Sequence, residues 1–278
     1  MEGASMISRQ RRLDSVQGAI ETRARAMGRQ IQALLARYRA TLLRRLDRSG
    51  PVALIAKAEP ITEEALLKEL FDLLVKFGGV QAQSAAGRTT KIIEGSLRLG
   101  GAGRLVPLKE FKGIERIADE HAKEILRATQ RGVSEKIERI LNEARAAAIE
   151  PNNRELAVQI KRELEGAYEM SWERSSMIAR TELSIAENVG HAAQYEELEI
   201  EEVQWVAFKA PIWPRRHDLM DGKTIKLGQR FELPSGVKLR FPGDPEGPAG
   251  EIIRCRCTTI PVIGAALPQL QARALEGR

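Results

Sequence analysis

The chain has 278 residues, 43% of them hydrophobic but only 4% aromatic, and a net charge of +6. That supports a real core built from long Ala/Leu/Ile-bearing helices rather than an aromatic-packed sheet. Two cysteines exclude a disulfide framework, no stretch approaches the roughly 20 apolar residues of a membrane span, and MEGASMISRQRRLDS lacks the apolar run of a secretory signal.

The charge is not spread evenly. Residues 9–48 carry eleven arginines and no lysine, against Asp14, Glu21 and Asp47, and the remaining residues are close to neutral. Within this basic arm, Leu13, Val16, Ile20, Ala24, Met27, Ile31, Leu34, Tyr38, Leu42 and Leu46 recur at steps of three and four. The spacing predicts one long, coiled-coil-like helix that needs a partner helix for its apolar stripe and stops at Gly50-Pro51. Leu13, Val16, Ile20, Met27, Ile31, Leu34 and Tyr38 are thus the candidate partner-binding residues, with Trp213, which lies between Pro211 and Pro214, as a loop anchor. Arg11, Arg12, Arg23, Arg25, Arg29, Arg37, Arg44 and Arg45 are the candidates for nucleic-acid contact through phosphate neutralisation. An arginine-rich solvated face, or one meeting an acidic protein surface, reads the same way.

A second helix is expected from Pro60/Thr62, with Glu63 and Glu64 at its positive end, to Gly78-Gly79. GSLRLGGAGRLVP follows. Its glycine spacing suggests a phosphate loop, but no Lys-Ser/Thr follows and no strand precedes it, so it reads as a loop between helices. Helical patterns resume over 109–148, with Gly132 as a candidate break and EPNN at 150–153 ending them, then to about Gly166, then over 175–198. After Glu199 the texture changes. EEVQWVAFKA alternates like a strand, GQRFELPSGVKLRFPG reads as a hairpin turning at Pro234-Ser235-Gly236, and EIIRCRCTTIPVI reads as a final strand. Helices followed by a small antiparallel sheet define an α+β order.

Five pieces in sequence carry a resemblance: IARTELSIAENVG (178–190), VQWVAF (203–208), RHDLMDGKTI (216–225), FELPSGVKLRFPGDP (231–245) and EIIRCRCTTIPV (251–262). In order and spacing they resemble the minor head proteins of tailed phages typified by protein F of phage Mu. The expected organisation is a basic helical arm (1–50), a helical region (51–170), a Mu F-like domain (171–262) and a tail (263–278). The resemblance implies a virion component, assembled in the host cytoplasm and present inside the head or at the neck. It also implies an oligomer on the portal ring, with portal protein as partner, and possible contacts to major capsid protein, neck proteins and packaged double-stranded DNA. Some longer relatives carry toxin domains after this region, and none is expected here. One departure is local: relatives often show a D-x-R-x-R-x-x-H pattern, where this chain has Ala210, Ile212 and Pro214 ahead of Arg216 and His217.

The two cysteines, Cys255 and Cys257, are the remaining chemistry. In a strand, residues i and i+2 share a face, so both thiols would point one way and Arg256 the other. Parallel Cβ vectors disfavour a disulfide. The two thiols are then small apolar core residues, or two ligands of a zinc site with His217, to which Asp221, Asp244 or Glu251 could add oxygen. A cysteine nucleophile would need a base; His121 and His191 fall in helical stretches and read as packing or surface residues. Arg180 and Glu182 in ARTEL could form ion pairs within a mostly buried helix. These readings point to a non-enzymatic structural protein that needs no cofactor, with zinc as an option. The alternatives are a zinc-dependent hydrolase or nuclease using His217, Asp221, Asp244, Cys255 and Cys257, or a DNA-binding head-tail adaptor.

Overall fold

The computed structural model describes residues 2–56, 60–97, 114–147, 154–167, 172–208 and 215–263. Among the described residues five helices precede a small set of antiparallel strands, the α+β order expected. They are α1 (Glu2–Ala56), α2 (Pro60–Leu97), α3 (Ile114–Ala146), α4 (Arg154–Ala167) and α5 (Trp172–Glu197). Trp213, the residues at 210, 212 and 214, most of the GSLRLGGAGRLVP segment and the tail from 264 lie outside the described residues.

Two expected helix ends are absent. α1 continues through Gly50-Pro51, and α2 continues through Gly78-Gly79. A proline inside a helix removes one ladder hydrogen bond, yet α1 extends over 55 residues and is not ended by it. Gly78 and Gly79 are both buried. Their intrinsic cost, about 1 kcal/mol each relative to alanine, is outweighed by a small-residue face (Ala82, Ala85, Ala86) that is fully buried beyond them. α3 likewise runs unbroken past Gly132.

The chain forms two compact units. One, residues 26–75 and 115–176, is helical. Met27, Ile31, Leu34 and Leu35 of α1 are buried there, as are Leu66, Leu70, Leu73 and Leu74 of α2, while Tyr38 is half-buried. Arg37 donates to the Glu69 carboxylate at 2.6 Å on its surface.

The other unit comprises residues 1–25, 76–114 and 177–278. Strand β1 (Glu202–Val206) is the centre of a three-stranded antiparallel sheet, flanked by β2 (Thr224–Lys226) and β5 (Thr258–Val262). Val203 faces Ile225 on one side and Pro261 on the other, and Trp205 faces Thr259. β3 (Phe231–Glu232) and β4 (Lys238–Leu239) form the expected hairpin. Its turn closes with the Gly236 N–H donating to the Leu233 carbonyl at 2.9 Å, and Gly236 adopts φ +82°, which a side chain would strain. Trp205, Tyr195, Met220, Phe231, Leu233 and Leu239 make the core, with Trp205 edge-on to Phe231 at 5.1 Å.

The final strand is shorter than expected. A single helical turn, α6 (Ala249–Ile252), occupies its first residues, and Arg254 then takes a left-handed conformation (φ +63°). β5 begins only at Thr258. Cys255 and Cys257 therefore lie in the turn entering β5, not in the strand. Alternating apolar residues in EIIRCRC fit a buried turn as well as a strand.

Candidate functional site

α5 builds the site from behind. Thr181, Asn188 and Tyr195 lie seven residues apart, about two helical turns each, and so share one face. Each fastens the 254–259 segment. The Thr181 hydroxyl accepts the Arg254 N–H at 3.2 Å, and the Asn188 amide donates to the Cys257 carbonyl at 3.3 Å while its oxygen accepts the Thr258 hydroxyl. The Tyr195 hydroxyl donates to the Thr259 carbonyl at 2.9 Å, and burial pushes its pKa upward, so it stays neutral. From α1, the Gln17 amide donates to the Arg256 carbonyl at 2.8 Å. The Arg256 guanidinium lies over the Phe208 ring at 5.0 Å.

Held this way, both thiols converge on one imidazole. His217 opens a 3₁₀ turn (His217–Met220), with its Nδ1 3.6 Å from Cys255 Sγ and 4.0 Å from Cys257 Sγ. Its Nε2 is 2.8 Å from the Glu251 carboxylate on α6, and its ring meets Trp205 edge-on at 5.5 Å. All four polar residues are buried. The Phe208 N–H donates to Cys257 Sγ at 3.5 Å, and Arg215 fixes the Glu251 backbone carbonyl at 3.0 Å.

The electrostatics are coupled. A hydrogen bond from the Cys257 thiol, against burial and with the help of His217, holds the Cys255 thiol well below its ordinary pKa. Cys257 is pushed well up by that same bond, by burial and by the negative charge on Cys255. Burial alone would lower the His217 pKa, but Cys255 and Glu251 together raise it. Two buried thiols, one of them favoured as thiolate, beside one buried imidazole are an arrangement suited to a thiophilic cation or to a thiolate–imidazolium pair.

The other residues expected at a site go elsewhere. Asp221 accepts the Ala207 N–H at 2.9 Å. Asp244, fully buried, accepts the Arg240 guanidinium at 2.6 and 3.0 Å and the Arg240 N–H at 2.8 Å. Neither belongs to the His217 cluster, and Glu251 reaches the far nitrogen of His217. Leu13, Val16 and Ile20, read as partner-binding, are buried within this unit by the chain itself, as Met27, Ile31 and Leu34 are in the other. Arg23 donates to the Gln81 side chain at 2.6 Å, whereas Arg25, Arg29, Arg37 and Arg44 are exposed. The side chains of Arg11, Arg12 and Arg45 lie outside the described residues. Arg180 pairs with Glu21 of α1.

Sequence reasoning missed a second polar cluster. Glu187 of α5 is buried, accepts from Arg88 and Gln81 of α2, and contacts His191 Nε2 at 3.0 Å, while His191 Nδ1 meets the Thr89 hydroxyl at 2.7 Å. The only available signal was helical spacing, Glu187 to His191 being one turn apart. A cavity of about 240 Å³ opens beside it, lined by Leu13, Val16, Arg88, Lys91, His191 and Pro261 among others, and it includes none of the His217 cluster.

The profile of the family described as phage Mu protein F like protein matches residues 120–260, half of the chain, and the chain belongs to that family. Its setting is the phage head and its morphogenesis. An NAD(+)–arginine ADP-ribosyltransferase, EFV, of Enterococcus faecalis (strain ATCC 700802 / V583) is 30% identical over 118 residues, covering 41% of this chain. The chain spans about a quarter of that protein, 24% of its length. No solved structure matches.

Proposed function

We propose that the protein is a non-enzymatic minor head component of a tailed phage. It joins the portal ring or neck and supports head assembly and DNA packaging or delivery. The observation that carries this reading is the family match over 120–260, which runs from α3 into β5. The surface of α1 supplies a mode of contact. Leu13, Val16, Ile20, Met27, Ile31 and Leu34 of its apolar stripe are buried by the chain itself, and its exposed cations include Arg25, Arg29, Arg37 and Arg44, of which Arg25 and Arg37 also pair with Glu21 and Glu69. These arginines face double-stranded DNA or an acidic channel wall, an attraction that salt weakens.

The enzymatic alternative loses support at the residues it needs, because Asp221 and Asp244 are committed to turn and ion-pair contacts away from His217. The transferase activity of the Enterococcus relative belongs to a protein of which this chain spans a quarter.

Deleting residues 1–50 would remove core residues, so charge reversal is the sharper test. The full chain and an Arg25→Glu/Arg29→Glu/Arg37→Glu/Arg44→Glu variant are run over sizing columns with the portal ring of the same phage, at low and high salt. Co-elution of the wild type that weakens in the variant and in salt supports the reading. Absence of co-elution under every condition overturns it.

A further inference from the structure

We propose that His217, Cys255 and Cys257 bind one zinc ion, with Glu251 as the residue that orients the histidine. Tetrahedral zinc with Zn–S of about 2.3 Å and Zn–N of about 2.0–2.1 Å sets the nitrogen–sulfur edge of its coordination shell near 3.6 Å. The two edges here are 3.6 and 4.0 Å, and the three donor atoms all lie within 4.8 Å of one another. Two thiols and an imidazole are the donor set that favours zinc over magnesium or calcium.

The surroundings are those of a metal site. With Nε2–H directed to Glu251 at 2.8 Å, the lone pair of Nδ1 is left facing the sulfurs. A carboxylate on the far nitrogen of a ligating histidine fixes its tautomer and raises its basicity. Donors also converge on the sulfur side. The Phe208 N–H reaches Cys257 Sγ, and the buried indole N–H of Trp205 lies beside that sulfur without a hydrogen bond of normal geometry. A zinc-bound thiolate is a stronger acceptor than a thiol and satisfies both. Two sulfurs placed on one nitrogen are one more than a cysteine–histidine proton relay uses.

The ion would join the 3₁₀ turn, α6 and the entry to β5, three short segments with little regular pairing of their own. Three protein ligands leave one vertex for a small exogenous donor such as water.

The full-length chain, purified under reducing conditions and dialysed, is assayed for metal by mass spectrometry, and the chelator-treated protein is titrated with Co²⁺. One zinc per chain, and a cobalt spectrum with sulfur-to-metal charge transfer and tetrahedral d–d bands, are expected. Glu251→Gln should keep those bands with about 10–100-fold weaker affinity. Cys255→Ser/Cys257→Ser should lose both zinc and charge transfer. Three results would overturn the site: wild-type protein free of zinc with both thiols open to a thiol reagent, a Cys255–Cys257 disulfide in place of metal, or stoichiometric zinc in the double serine variant. The wild-type and Glu251→Gln measurements stand even if the serine variant does not fold.

Discussion

Asn188 on α5 donates its side-chain amide to the backbone carbonyl of Cys257, 69 residues further along the chain. The same amide also donates to the Ser184 carbonyl at 3.0 Å, so the buried nitrogen has two acceptors. Asn188→Asp keeps the shape and replaces the donor by an oxygen facing two carbonyls. The expected loss is about 3 kcal/mol, against about 1–2 kcal/mol for Asn188→Ala, because an opposed buried charge costs more than a missing bond. Urea denaturation of the two variants checks the order; an aspartate tolerated as well as the alanine would show that α5 does not fasten this turn through Asn188.

Gly190 lets α5 pass close against the α2 backbone at Ala82. A Cβ built there would lie 2.2 Å from the carbonyl oxygen of Ala82 and 2.7 Å from its carbonyl carbon and Cα. Backbone cannot yield as a side-chain tip can, so Gly190→Ala should destabilise by about 3 kcal/mol. Gly18, in exposed α1 with nothing within 4 Å, is the control. There the same substitution should be neutral or stabilise by up to about 1 kcal/mol, the helix-propensity gain. Thermal melts of both variants decide it, and equal effects would mean that the helices separate to admit the methyl group.

The sequence was most legible where one local pattern decides the outcome. The period of α1, the turn at Pro234-Ser235-Gly236 and the alternation around Trp205 all depend on residues close in the chain. It was least legible where packing overrides a local signal. Gly50-Pro51 and Gly78-Gly79 both read as stops, yet both helices continue, the second one over a buried small-residue face at Ala82, Ala85 and Ala86. The four-residue α6 is too short to show a period, so the thiols were placed in a strand. The grouping of His217 with both cysteines was anticipated from residue type alone, but the position of Glu251 on the far nitrogen depends on α6 and could not be. Nor could Glu187 be matched to Arg88, since nothing local tells which acid is buried.

Acid should act through Glu187. Burial by itself would raise its pKa; the hydrogen bond and charge of His191, with those of Arg88, outweigh burial and hold it below the ordinary value of 4.5. A carboxylate depressed in the folded state stabilises above its unfolded pKa, and that stability drains away as pH falls through the folded value. Stability should therefore decline with acidification below about pH 4.5. Glu187→Gln should cost about 3 kcal/mol at pH 7, since Arg88 loses its buried partner. It should also show a shallower decline in acid. Urea midpoints from pH 3 to 7 test both, and parallel curves for variant and wild type would place the acid sensitivity elsewhere.

Arg254 holds a left-handed backbone without being glycine; its side chain is exposed, and its N–H is held by Thr181 of α5. L-residues with a Cβ take this region at a cost of about 1 kcal/mol. Arg254→Gly should recover about that amount in a denaturant titration. A loss of stability would mean that the arginine side chain holds the turn that sets Cys255.

The arginines of α1 should separate into two kinds. Arg23 is half-buried, donating to Gln81 at 2.6 Å and to Ser84 at 3.4 Å, so its truncation takes this donor from the buried Gln81 amide oxygen, while the amide nitrogen keeps Glu187. Arg23→Ala should cost about 1–2 kcal/mol of folding stability. Arg29 is exposed, and Arg29→Ala should change stability by less than about 0.5 kcal/mol. If the exposed arginines neutralise phosphates, Arg29→Ala should instead weaken binding to double-stranded DNA and flatten its salt dependence by about one unit of slope. Fluorescence anisotropy on duplex DNA from 50 to 200 mM salt, beside urea titrations of both variants, reads the two effects separately. A DNA affinity and slope untouched by Arg29→Ala would direct this face to an acidic protein surface, since the same charge then has no phosphate to meet.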